Sequence, residues 1–370
     1  MSHYTAVVNG RIYTGDCVLD GHALLIKGNT IVDVVAEGEL PDDTYRIDAG
    51  GHHIAPGLID LQIYGGGGQL LSAHQTPETL AHIAGALVQT GTTGFMITLA
   101  TNTMAVFDAA IEAAKQYSHP ALLGLHFEGP YLNPLKRGAH PAELICRADR
   151  TALAEQLERA EGHVKMMTVA PELFDDDSLQ VLLAHGVLVS AGHSNATFKE
   201  ATAGFDRGIK TVTHLFNAMS PLHHREVGLP GAVFAHDTAC ASIIADGIHV
   251  DYKAVAFSKK LLGKRLFLIT DAVTEASEGI YPHVRNGDHF TMPNGTLSGS
   301  AISLLDAVAN CVKHVGIPLE EALRMASLYP ARLIGADTLG RIAPGSKANL
   351  LIFDDDYQVK QVLLEGIAQR

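Results

Sequence analysis

Five side chains of this sequence could together run a hydrolysis: Glu128, His193, His214, His249 and Asp271. Each follows or ends a short apolar run, so each is delivered to the polar end of something buried. A carboxylate with two neutral imidazoles makes a zinc-type ligand set that leaves a position open for water, the layout of a hydrolytic rather than a structural site. Asp271 then fits as the general base that orients the water, takes its proton and passes it to a leaving group. A single histidine among the 20 in the chain is ordinarily a surface or core residue. The set carries the reading, and no member does so alone.

The elements that must position these residues follow a strand-then-helix rhythm. Eight apolar runs end in polar or glycine-bearing turns: residues 53–63, 91–100, 121–129, 164–171, 187–194, 211–218, 241–249 and 265–273. Between most of them lie helix-period segments with glycine stops, such as TPETLAHIAGALVQTG and DDSLQVLLAHG. Strands buried on both faces and alternating with amphipathic helices predict a parallel sheet, and eight repeats close into a (β/α)8 barrel. The barrel is expected over residues 55–335, close to the usual size of about 250 residues. All strand ends then open on the one face where such barrels do chemistry. Residues 1–54 and 336–370 read differently, as short β-rich pieces separated by Gly, Asn and Asp turns. Both chain ends are therefore expected to meet in one small β-sandwich domain.

Composition excludes several classes of function. The chain has 370 residues, 47% hydrophobic and 18% charged, with a formal charge of −13 and a pI near 5.8. Without a Lys/Arg cluster this argues against nucleic acid or an anionic membrane as partner. Apolar runs are of strand length, and the N-terminus lacks a basic region followed by an apolar signal core, so the cytoplasm is the expected location. Cys17, Cys146, Cys240 and Cys311 are far apart and form no C-x-x-C pair, which indicates free thiols in a reducing compartment.

The stretches APGLIDLQIYGGGG, GLHFEGPYLN, KRGAH, SAGHSNATF, THLFNAMSPLHHREVGLPG, IADGIHVD, ITDAV and GTLSGSAISLLDAV come in this order along nearly the whole chain. Together they resemble the amidohydrolase superfamily and, within it, the family of N-acetylglucosamine-6-phosphate deacetylases. The resemblance implies one divalent metal ion per subunit, zinc with Fe, Mn or Co as alternatives, held by Glu128, His193 and His214. It implies Asp271 as catalytic acid/base and His140, beside Ala139, as the group that polarises the acetamide carbonyl. Asn217, Ala218, Leu297, Ser298 and Gly299 match sugar-contacting positions. Asp246, Gly247, Ile248 and His249 of ADGIH match positions near the sugar phosphate. Arg225 matches a residue that reaches the phosphate in the neighbouring subunit, which implies a homodimer. The implied substrate is a phosphorylated amino sugar, N-acetylglucosamine 6-phosphate, with N-acetylgalactosamine 6-phosphate as the near rival. A non-enzymatic binding protein on the same barrel is the distant one.

One departure bears on metal count. Most of the superfamily has His-x-His at the end of the first strand, and this chain has Gln62 and Tyr64 there. Neither is a good ligand for a second divalent ion, so one ion is expected. Other residues take plainer readings. His126 is two before Glu128 and should fill the barrel. His52, His53, His223 and His224 are expected to be solvated. Gly65 to Gly68 lack the G-K-[ST] of a phosphate cradle and read as a tight strand-end loop. NPLKRGAHP reads as a loop able to cover the substrate.

Overall fold

The computed structural model describes residues 4–276 and 279–369. Its centre is an eight-stranded, all-parallel sheet: β1 (Leu58–Ile63), β2 (Thr92–Ala100), β3 (Leu122–Glu128), β4 (Val164–Val169), β5 (Leu188–Ala191), β6 (Thr211–Val212), β7 (Cys240–Ile243) and β8 (Leu266–Leu268). Neighbours in the sheet are neighbours in sequence, as repeated βα units require. The last strand returns to the first through residues just beyond β8. Asp271 N–H donates to Gln62 O at 2.9 Å, Tyr64 N–H donates to Ala272 O at 3.0 Å, and Ile63 bridges Ala272 in parallel. These bonds close the expected (β/α)8 barrel.

Helices between the strands carry the predicted signals. Pro77–Gln89 buries Leu80, Ile83, Ala84, Leu87 and Val88, one helical face, and starts with the Thr76 side chain accepting from Thr79 N–H. Phe198–Asp206 starts on a reciprocal capping box of Thr197 and Glu200. Their apolar faces join the strands in one continuous core that includes Phe95, Phe107, Phe127 and Phe267.

Strands from both chain ends form two further sheets. One joins Thr5–Val8, His22–Lys27, Thr30–Ala36 and Tyr45–Asp48. The other joins Arg11–Tyr13, Val18–Leu19 and His53–Pro56 to Leu350–Phe353, Val359–Leu364 and Ile367–Ala368. Val7, Leu24, Ile26 and Ile31 of the first pack against Ile12, Ile54, Leu350 and Ile352 of the second.

The run 53–63, expected to be one barrel strand, is two. His53–Pro56 pairs with Arg11–Tyr13 and Leu350–Phe353, and only Leu58–Ile63 enters the barrel. Gly57 makes the break: its N–H donates to Asn349 O at 2.8 Å, and a Cβ there would run into the Thr93 hydroxyl. His53 is also not solvated, because its ring bonds Tyr13 OH at 3.1 Å and the Asp355 carboxylate at 3.0 Å. His52 is half-buried, whereas His223 and His224 are exposed as expected. Gly65–Gly66 forms a short hairpin with Gln69–Leu70, which fits a strand-end loop. Among the described residues no helix is long and apolar enough to cross a membrane. Gly57→Ala is expected to lose about 1–3 kcal/mol of stability by overpacking against Thr93, read as a lower urea midpoint at unchanged slope.

Candidate active site

The strand ends that carry the candidate residues turn sharply. His193, His214, Ala218 and Asp271 all have positive φ, between 30° and 54°, a conformation that costs a non-glycine residue and clusters where side chains must be aimed. Glu128 needs no such turn, being the last residue of β3. Its carboxylate is buried at the centre of the barrel mouth and gathers the site around it.

Oε1 lies 3.0 Å from His214 Nε2 and 3.2 Å from His193 Nε2, and these two nitrogens are 3.1 Å apart. Oε2 lies 3.2 Å from His140 Nε2 and accepts from Tyr64 OH at 2.5 Å. The Gln62 amide donates to Glu128 Oε1 at 3.0 Å and to Asp271 Oδ1 at 2.8 Å. The Thr213 hydroxyl donates to Gln62 Oε1. That bond turns the Gln62 nitrogen toward the two carboxylates and keeps them apart with a neutral donor.

Backbone partners fix the tautomers of two imidazoles, in opposite senses. His193 Nδ1 lies 3.0 Å from Lys136 O, an acceptor only, so Nδ1 carries the hydrogen and Nε2 presents a lone pair. That lone pair faces Glu128 Oε1, itself an acceptor, and two facing acceptors need a proton or a cation between them. His140 Nδ1 accepts from Thr101 N–H at 3.3 Å, so in the neutral ring Nε2 is the donor, aimed at Glu128 Oε2. Glu128, His140 and His193 all have ligand atoms within 4.8 Å of one another, but the tautomer makes His140 a hydrogen-bond donor rather than a ligand. The donor set Glu128, His193 and His214 fits a divalent cation. No pair of its atoms is more than 3.2 Å apart, near the edge of about 3.3 Å that follows from tetrahedral bonds of about 2.0–2.1 Å.

Electrostatics agree with an ionised centre. Burial pushes the Glu128 acid up, but the imidazoles of His193, His140 and His214 outweigh it and hold the carboxyl well below its usual range. Burial raises Asp271, with His214 opposing and Glu128 adding to the rise. His126, pushed down to about 4 by burial, stays neutral and bonds Thr168 Oγ1 at 2.8 Å and Leu61 O at 3.1 Å. It fills the barrel, as expected.

A cavity of about 300 Å³ opens over this centre, lined by Ala139, His140, Asn217, Ala218, His249, Asp271, Leu297, Ser298 and Gly299 together with Glu128, His193 and His214. Asp246, Gly247 and Ile248 do not line it. Asp246 organises the turn below instead, accepting from Ile248 N–H at 2.9 Å, His249 N–H at 2.8 Å and His249 Nδ1 at 2.6 Å. Arg225 is exposed on the loop before the helix Gly228–Ala235 and does not line the cavity. Glu226 spends its carboxylate on Phe198 N–H and Gly228 N–H and forms no ion pair with Arg225.

The sequence did not reveal Thr101, Lys136, Thr213, Tyr281 or His283 as parts of this site. Tyr281 OH donates to Thr101 O at 2.5 Å, and its ring stands edge-on to His140 with centroids 6.2 Å apart. His283 bonds Ser298 Oγ at 3.0 Å and lines the cavity. Thr101 and Lys136 act through backbone atoms, which residue types do not advertise. For Thr213 a signal existed, its place beside His214.

Comparison with known proteins places the chain. The amidohydrolase family profile matches residues 53–368, and the NagA composite domain profile matches residues 4–54. An N-acetylglucosamine-6-phosphate deacetylase of Haemophilus influenzae is 35% identical over 98% of each chain. An N-acetylgalactosamine-6-phosphate deacetylase of Escherichia coli O157:H7 is 31% identical over 96% of this chain and 97% of its own. The crystal structure of N-acetylglucosamine-6-phosphate deacetylase from Pasteurella multocida superposes with a TM-score of 0.95 at 34% identity, covering 99% of each chain. With its barrel, its strand-end carboxylate and imidazoles and these matches, the chain belongs to the amidohydrolase family.

Proposed function

We propose that this chain hydrolyses the acetamide of N-acetylglucosamine 6-phosphate, giving glucosamine 6-phosphate and acetate. The opposed tautomers around Glu128 carry the reading. On one side of the carboxylate His193 offers a lone pair, on the other His140 offers a hydrogen, and Asp271 stands across the Gln62 amide.

Glu128, His193 and His214 would hold one divalent ion, for which zinc suits the imidazole and carboxylate donors. Such an ion supplies an acidified water and a polarised carbonyl. Asp271 takes the proton of the attacking water and returns it to the nitrogen as the C–N bond breaks, so one group serves as base and then acid. His140 Nε2–H, held toward Glu128 Oε2 in the free site, turns its hydrogen to the acetyl oxygen as negative charge builds there. Leu297, Ser298 and Gly299 on one wall and Asn217 and Ala218 on the other hold the sugar. His249 receives the phosphate end, its ring oriented by Asp246. Arg225, whose planar fork suits a phosphate dianion, is exposed and has no ion-pair partner among the described residues. In a homodimer it completes the neighbour's site. Separated free cysteines suit the reducing cytoplasm.

A second reading, the same reaction on N-acetylgalactosamine 6-phosphate, is favoured by the relatives of that kind. Acetate release from both epimers and from unphosphorylated N-acetylglucosamine decides between them. The gluco phosphate is expected to have the highest kcat/KM, and a faster galacto epimer would reverse the assignment. Chelation should abolish activity, and added zinc should restore it. Asp271→Asn is expected to lower kcat about 10²- to 10⁴-fold with metal content unchanged, and full kcat would remove Asp271 from the mechanism. Arg225→Ala should raise KM for the phosphorylated sugar at least about tenfold while the protein still sediments as a dimer, at the usual cost of about 1.5–3 kcal/mol for a hydrogen bond to a charged group.

A further inference from the structure

Asp60 is fully buried in β1, below the cavity, and is not one of the residues that line it. Its carboxylate accepts from the Thr270 hydroxyl at 2.6 Å, from Thr270 N–H at 3.3 Å to each oxygen, and from Gln62 N–H at 3.2 Å. Among the described residues no lysine, arginine or histidine bonds it. Barrel interiors are ordinarily filled by branched apolar side chains, and a buried carboxylate without a cation is costly. Four hydrogen bonds at one such group, three of them from Thr270 across the seam where the segment after β8 meets β1, therefore ask for a purpose.

Thr270 immediately precedes Asp271, whose φ is +54°. That left-handed elbow is held from above as well: Asp271 O accepts from Ser300 N–H at 3.0 Å, and Thr270 O accepts from Ser300 Oγ at 2.6 Å. From below, Asp60 receives both donors of Thr270. It also receives the N–H of Gln62, whose own amide reaches Asp271 Oδ1 at 2.8 Å. One carboxylate thus anchors the backbone that carries Asp271 and the residue whose side chain points Asp271's oxygen.

We propose that Asp60 is a positioning residue for the deacetylation: clasping Thr270 and the Gln62 backbone, it sets the direction of the Asp271 carboxylate. The proposal rests on Asp271 as the proton carrier. Misplacing a catalytic group by about 1 Å costs on the order of 10²-fold in rate. Loss of the clasp is therefore expected in kcat rather than in KM.

Steady-state kinetics on the metal-loaded enzyme test this with Asp60→Asn, Thr270→Val, Thr270→Ser and the Asp60→Asn/Thr270→Val double variant. Thr270→Val removes the hydroxyl at nearly constant shape, and with it both the bond donated to Asp60 and the one accepted from Ala272 N–H at 3.2 Å; the double variant isolates the part shared with Asp60, so the clasp is read even where Asp60→Asn folds poorly. Each of those two variants should lower kcat roughly 10- to 100-fold with KM within about twofold. Thr270→Ser should restore most of the loss, and the double variant should be no worse than the poorer single one, as coupled neighbours require. Metal content of Thr270→Val should match the parent, while its melting temperature falls because a buried carboxylate loses a donor. Parental kcat in Thr270→Val, losses that multiply in the double variant, or losses that track metal content would each overturn the positioning role. Full kcat in Asp271→Asn would overturn the underlying reading as well, so the two failures are distinguishable.

Discussion

A single buried acid organises this molecule. Glu128 sits where water cannot solvate it and is surrounded by three imidazoles, a phenol and a carboxamide. Removing one partner from such a centre leaves a charge uncompensated at low dielectric, so the surrounding backbone has to hold all of them at once. Sharp left-handed turns, the seam of the barrel and the loops over its mouth are the means. Lys136, in the loop after β3, accepts from the ring of His193, so a segment that looks like a cover also sets a tautomer.

Order of the strands turns that local demand into a fold. Parallel strands with helical returns put every strand end on one face, and the end of β3 lies between β2 and β4 with Ala100, Glu128 and Thr168 in register. Residues far apart in sequence meet there because each stands at the end of its strand or in the turn just beyond it. Gln62 and Thr213, on opposite sides of the barrel in chain order, share a hydrogen bond for this reason.

Much of this was legible in the sequence. Apolar period and glycine stops gave the eight strands, and the polar residues ending them gave Glu128, His193, His214, His249 and Asp271. Where residue type is the signal, the reading held: His126 fills the core, and Gly65 to Gly68 form a strand-end hairpin. It failed where a backbone atom or a close approach decides. Thr101 N–H fixes the His140 ring without any mark on the side chain. Gly57 splits a run that is uniformly apolar, because the obstacle, Thr93, lies on another strand. His53 looked solvated because Asp355, its partner, comes from the far end of the chain.

That far end has a consequence for synthesis. His53–Pro56 leads directly into β1, yet its central partner is Leu350–Phe353, and almost the whole barrel lies between them in the chain. A ribosome delivers the first barrel strand long before the partner of its leading segment. Until then Ile54 and Ala55, both fully buried in the finished molecule, have no complete sheet to enter. Contacts of such sequence separation slow folding and leave apolar edges open in the meantime. A nascent chain that stops short of residue 350 therefore presents an unpaired β edge next to the strand that bears Asp60 and Gln62, the kind of surface that chaperones bind.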